Sequence, residues 1–180
     1  PTPTRTYTPL PPTATLTPNI PVLLYWDDFA NTASGWPVQE DSQWRIGYQD
    51  GEYQIKIKAK SLLGWVTRYN AESYAVEVDG RFASGVYGTY GLVFGVSASG
   101  DQYYFFTVDE SQYYTLRKYQ GGSMSTLINW TQSPALNAGQ AKNRLRVERY
   151  GTGIALYANG QHLASVDDGS LTGARRIGLF

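Results

Sequence analysis
The 180-residue chain balances 15 Lys+Arg against 15 Asp+Glu and is 42% hydrophobic and 14% aromatic. With no Cys and a single His, it excludes disulfide frameworks, thiol nucleophiles, iron–sulfur clusters, Cys-based zinc and multi-His metal sites. The zero net charge offers no bulk field to nucleic acid or acidic lipid, and no apolar run approaches the ~18 residues of a membrane span.

Residues 1–21 form a distinct first segment. They hold seven of the nine prolines and the seven threonines Thr2, Thr4, Thr6, Thr8, Thr13, Thr15 and Thr17, with Arg5 as the only charge. Proline removes helical donors and clashes with the preceding turn. Polyproline-II at about 3.1 Å per residue is therefore expected, giving a semi-rigid arm or linker of roughly 55 Å. Its sizeable apolar side chains are Tyr7, Leu10, Leu16 and Ile20. The alternating Pro/Thr pattern resembles O-glycosylated surface stalks, which makes the seven threonines candidate O-glycosylation sites. The chain opens on Pro1, which reads as a removed leader or an excerpt of a longer protein.

Residues 22–180 form the second segment, and apolar/polar alternation predicts strands throughout it. The candidates, in order, are Val22–Phe29, Gln43–Tyr48, Glu52–Ala59, Leu62–Tyr69, Tyr74–Asp79, Tyr90–Val96, Gln102–Val108, Tyr113–Tyr119, Thr126–Trp130, Asn143–Tyr150, Gly153–Ala158, Gln161–Val166 and Ile177–Phe180. Turn signals separate them, among them Asp50-Gly51, Gly121-Gly122, Asn159-Gly160 and Asp168-Gly169. About a dozen short strands at 8–12-residue spacing predict an all-β, two-sheet antiparallel sandwich.

Several pieces of this segment resemble a bacterial concanavalin A-like (laminin G-like) jelly-roll module of the sugar-associated type. They are Asp27-Asp28-Phe29 with Ser34-Gly35-Trp36-Pro37, Tyr48-Gln49-Asp50-Gly51-Glu52-Tyr53, Val76-Glu77-Val78-Asp79, Tyr90-Gly91-Leu92-Val93-Phe94, Tyr103-Tyr104-Phe105-Phe106, Asn143-Arg144-Leu145-Arg146-Val147, Leu156-Tyr157-Ala158-Asn159-Gly160 and Ile177-Gly178-Leu179-Phe180. The resemblance implies a secreted or surface location and binding or scaffolding rather than catalysis. Modules of this pattern continue past the Ile-Gly-Leu-Phe strand with one more strand that returns beside the first. This chain stops at Phe180, which implies either that the sequence is cut short or that another segment fills an open edge.

Candidate chemistry is sparse. Glu77 and Asp79 share a strand face about 7 Å apart, a separation compatible with glycoside hydrolysis. Jelly-roll glycosidases, however, carry a third acid where Phe82 stands, so the pair reads as the wet side of a strand. Asp27 and Asp28 are candidate ligands for a structural calcium, since calcium takes clustered loop oxygens; no other cofactor is indicated. Asp109-Glu110 and Asp167-Asp168 read as turn acids, and His162 as a strand residue after a hairpin turn. Asn129-Trp130-Thr131 is a glycosylation sequon.

Aromatics are the richest signal. Trp44, Trp65, Tyr104, Phe106 and Tyr114 could form a platform for sugar rings, a protein interface or simply core. Two functions follow. The first is an extracellular, non-enzymatic subunit that joins copies of itself head-to-tail into a filament. Its assembly arm would be Tyr7, Leu10, Leu16, Ile20, Val22 and Leu24, acting as a donor strand. The second is a tethered carbohydrate-binding module with glycans as partners.

Overall fold
The computed structural model describes residues 22–59, 66–84, 88–173 and 175–180. Its elements are all strands: β1 (Gln39–Glu40), β2 (Trp44–Gln49), β3 (Glu52–Ile57), β4 (Val66–Ala71), β5 (Tyr74–Gly80), β6 (Tyr90–Val96), β7 (Tyr103–Val108), β8 (Tyr113–Gln120), β9 (Ser123–Gln132), β10 (Asn143–Tyr150), β11 (Gly153–Ala158), β12 (Gln161–Asp167) and β13 (Arg175–Leu179). Every pairing between them is antiparallel. Among the described residues no helix is long and apolar enough to cross a membrane.

A six-stranded sheet in the order β4-β13-β6-β7-β8-β9 faces a four-stranded sheet in the order β12-β11-β10-β5. Alternation explains the packing, because residues two apart on a strand share a face. Leu92 and Phe94 of β6, Phe106 and Val108 of β7, and Leu116 of β8 project inward. They join Leu145 and Val147 of β10 with Ile154 and Leu156 of β11 in one core. Each such burial contributes about 1.5–3 kcal/mol.

The turns behave as their residues dictate. Asn159 and Gly160 both take positive φ, 51° and 80°, closing the β11–β12 hairpin. The buried Asn143 has all its amide groups engaged: its oxygen accepts from Asn137 N and Asn159 Nδ2, and its nitrogen donates to Tyr90 Oη and Asn137 O.

A third sheet, β1-β2-β3, forms a small hairpin layer. Its cluster gathers Trp36 and Ile46 with Phe29, Trp44, Tyr48, Tyr53, Ile55 and Leu179. Tyr53 donates to the Pro37 carbonyl, and burial pushes its phenol up to about 12. Arg81 clamps the hairpin to the chain after β5 through two bonds to the Glu52 carboxylate.

Two expectations fail here. Val22–Phe29 is not a strand: residues 22–28 have no ladder partner. The adjacent acids are the cause. Asp27 Oδ1 accepts from Phe29 N and Asp28 Oδ1 from Ala30 N, and Phe29 sits at φ +61°, so the backbone turns instead of extending. Val22 and Leu24 are left exposed. Nor does the predicted Ile177–Phe180 strand border an open edge. It lies at Arg175–Leu179 as β13, with β4 on one side and β6 on the other. The edges of the two large sheets are β4, β9, β12 and β5.

Candidate functional site
Strand parity decides the fate of the predicted aromatic platform. Tyr104, Phe106 and Tyr114 point into the sandwich, and Tyr104 and Phe106 are 0% exposed, so none of the three can meet a ligand. The opposite residues of β7, Tyr103 and Phe105, are buried as well; Tyr103 stacks on Tyr119 at 5.3 Å and Phe105 on Phe180 at 5.4 Å. Trp44 packs into the hairpin cluster rather than beside Tyr104, Phe106 and Tyr114. Trp65 lies outside the described residues, as do Tyr7, Leu10, Leu16, Ile20 and the seven arm threonines.

The acids are occupied in structural work. On the outer face of the four-stranded sheet, Arg144 clamps Asp79 through two 2.7 Å bonds, and that bond holds the Asp79 carboxyl below its ordinary range. Glu77 lies near Arg144 and Arg146, while Arg146 bonds Glu148. Both acids are exposed and each faces a guanidinium, and the lowered Asp79 carboxyl is the reverse of a raised-pKa catalytic acid. Exposed pairs of this kind stabilise by about 0.2–1 kcal/mol. Glu77→Gln with Asp79→Asn should accordingly shift stability by roughly 1 kcal/mol or less in urea titration.

Asp27 is an anchor for aromatic side chains. Its Oδ2 accepts from Tyr25 Oη at 2.9 Å and from Trp36 Nε1 at 3.0 Å. Desolvation opposes ionisation, but hydrogen bonds led by those from Ser34 and Phe29 N outweigh it and lower the carboxyl pKa. With Asp28 committed to the turn, the two candidate calcium ligands serve local geometry, and no third carboxylate or imidazole gathers with them among the described residues. His162 sits on an exposed strand, bonded to Ser165 and packed edge-on to Tyr157.

The surface that sequence reasoning missed lies between the turn segment and β4. Tyr25, Arg68, Tyr69 and Asn70 line an open cleft of about 470 Å³. The Tyr25 and Tyr69 rings stack at 5.8 Å and 28°. Tyr25 is oriented by Asp27 and Trp36; burial, then the Asp27 bond, raises its phenol pKa, so the hydroxyl stays protonated. Arg68 donates to Ser34 O at 3.1 Å. The segment is thus held from three sides although it forms no strand.

A second exposed aromatic sits on edge strand β9. Trp130 is 41% exposed, and the Arg117 guanidinium of β8 lies 5.7 Å from its ring centroid. A smaller polar hollow of about 330 Å³, lined by Ser99, Asp101, Gln102, Thr172 and Arg175 among others, opens at the β6–β7 turn. Ser97 and Ser99 both donate to Asp101 Oδ1 there, so that hollow is largely self-satisfied.

Comparison of the structure with known ones gives consistent results. The carbohydrate-binding module CBM66 from Bacillus subtilis superposes with a TM-score of 0.55 at 16% identity, over 77% of this chain and 86% of that one. The fold is a lectin-like jelly roll. Sheep galectin-11, solved with glycerol, matches with a TM-score of 0.52 at 14% identity, covering 66% and 91% of the two chains. The kappa-carrageenase from Pseudoalteromonas carrageenovora, solved with an oligotetrasaccharide of kappa-carrageenan, gives 0.52 at 13% identity over 92% and 84%. At these identities the likeness is one of fold. No sequence-family profile matches the chain, and no curated protein matches it.

Proposed function
We propose that this jelly roll is a non-catalytic carbohydrate-binding module that works outside the cell, with residues 1–21 as its tether. The observation that carries the reading is the Tyr25–Tyr69 stack in an open cleft beside Arg68 and Asn70. Aromatic faces meet the C–H faces of sugar rings, and tyrosine hydroxyls, an amide and a guanidinium supply directional bonds to sugar hydroxyls. The lectin-like fold supports the same reading. The Pro/Thr-rich composition of the tether supports the location. Head-to-tail assembly through the arm draws no comparable support, because none of the three known structures named above is described as a polymer subunit.

Screening on a glycan array followed by calorimetry tests the proposal. Tyr69→Ala and Tyr25→Ala should each weaken the best hit by roughly tenfold, about 1.4 kcal/mol. Both rings are partly exposed, so the melting temperature should move little. No binding across neutral and acidic glycans would overturn the reading.

A further inference from the structure
Resting on the glycan-binding reading, we propose that the glycan recognised by the six-stranded sheet is anionic, bearing carboxylate or sulfate groups. The chain is neutral overall, but its charges are segregated. The six strands of the larger sheet carry Arg68, Arg117, Lys118, Arg175 and Arg176 and no acidic residue at all. The four strands of the smaller sheet carry Glu77, Asp79, Glu148 and Asp167 against Arg144, Arg146 and Arg149.

The pairing follows the same division. Arg45, Arg81, Arg144 and Arg146, on the hairpin side and the smaller sheet, all have carboxylate partners, and the exception there is the buried Arg149, which donates to Leu171 O and lies over the Tyr104 ring. Among the described residues, no carboxylate lies within 4 Å of Arg68, Arg117, Arg175 or Arg176. Lys118 is the exception on the larger sheet, bound inward to Asp168.

Two of these unneutralised guanidinium groups stand beside the exposed aromatics. Arg68 adjoins the Tyr25–Tyr69 stack, and Arg117 lies over Trp130. Among the described residues Arg117 Nε is buried without a hydrogen-bond partner, and Nη1 donates to the soft Met124 sulfur at 4.0 Å. A guanidinium with no carboxylate partner attracts a carboxylate or a sulfate through charge-assisted bonds from its exposed N–H groups. The ring beside it takes the sugar face. A neutral sugar would need no such surplus of cations. Asp27, the acid next to the cleft, keeps its charge and offsets part of that surplus, but its oxygens are turned to Tyr25, Trp36 and Phe29 N rather than to Arg68.

Three probes test this by affinity electrophoresis and calorimetry: polygalacturonate for carboxylate, dextran sulfate for sulfate ester, and dextran as the neutral control. At least one polyanion should bind roughly tenfold or more tighter than dextran, and weaken as salt rises from about 50 to 300 mM. Arg117→Gln and Arg68→Gln should each reduce that affinity roughly three- to tenfold, while Arg144→Gln, on the smaller sheet, leaves it unchanged. Which polyanion responds separates carboxylate from sulfate recognition. Tighter binding to dextran, salt-insensitive binding, or an equal loss in Arg144→Gln overturns the anionic assignment and leaves glycan binding standing. Failure of all three probes, with an empty glycan array, removes both.

Discussion

Gly91→Ala should be the most damaging single-methyl change in the protein. A Cβ at position 91 would lie 2.0 Å from the Phe106 carbonyl oxygen and 3.0 Å from its carbon. Those are backbone atoms of β7, the strand paired with β6 through Gly91 and Thr107. On the other side, Gly91 N donates to Phe180 O and Phe180 N donates to Gly91 O, each at 2.9 Å. β6 is therefore held from both flanks and cannot slide away without breaking one of the two ladders. The expected loss is about 4–5 kcal/mol, at the upper end of point-mutation effects. Urea unfolding followed by tryptophan fluorescence measures it. Gly121→Ala is the control: no atom lies within 4 Å, so only its φ of +60° opposes the methyl, at a cost of about 1–2 kcal/mol. Equal midpoints for the two variants would show that the β6–β7 approach is looser than described.

Loss of Asp168 should come next. Its Oδ2 takes a 2.7 Å bond from Lys118, and its Oδ1 accepts from Tyr104 Oη at 2.9 Å, from Ser170 N at 2.8 Å and from the Ser170 hydroxyl. Lys118 also donates to Ser170 Oγ. Burial works against the carboxylate, but the bonds from Lys118 and Ser170 outweigh it and hold the group far below the ordinary carboxylate range. Both charged side chains are mostly shielded, at 16% and 11% exposure. Asp168→Ala strands an ammonium and a phenol, which costs about 3–5 kcal/mol.

The pH dependence has a definite sign. A depressed folded-state pKa stabilises fully above the unfolded value of about 3.9, and that contribution fades as pH falls toward the folded pKa. The gap between the native protein and Asp168→Asn should therefore be widest at pH 6–7 and narrow below about pH 4. Chemical denaturation at several pH values reads it directly. A gap that stays constant down to pH 2 would mean that the carboxylate is not the stabilising form.

The architecture was largely legible in the sequence, and the site was not. Tyr90–Val96, Asn143–Tyr150 and Gly153–Ala158 appear at their expected bounds because alternation with Gly-containing turns marks both ends of a strand. Alternation cannot say which face is inward when both are aromatic. In Tyr103-Tyr104-Phe105-Phe106 the choice depends on what stands across the sandwich, and here both faces are buried. Val22–Phe29 had a strand's composition, but the carboxylates of Asp27 and Asp28 capture the following amides and bend it. The Tyr25–Tyr69 cleft joins residues more than forty positions apart. No local spacing encodes such a meeting; the signals available were an aromatic pair ahead of two acids and an Arg-Tyr-Asn run in a strand.

The place of β13 governs how the molecule can come into being. The strand drawn from residues 175–179 is inserted between β4 and β6, so the larger sheet is joined across more than a hundred residues of sequence. During synthesis, β6 to β9 can pair as successive hairpins as they emerge, yet β4 has no neighbour to join until β13 arrives. Loop closure over that span makes the last step slow. Until then, one side of β6 offers unsatisfied backbone groups to any passing strand. Nascent chains held short of residue 175 should therefore be the species that chaperones recognise, and the emergence of β13 the event that makes the fold cooperative.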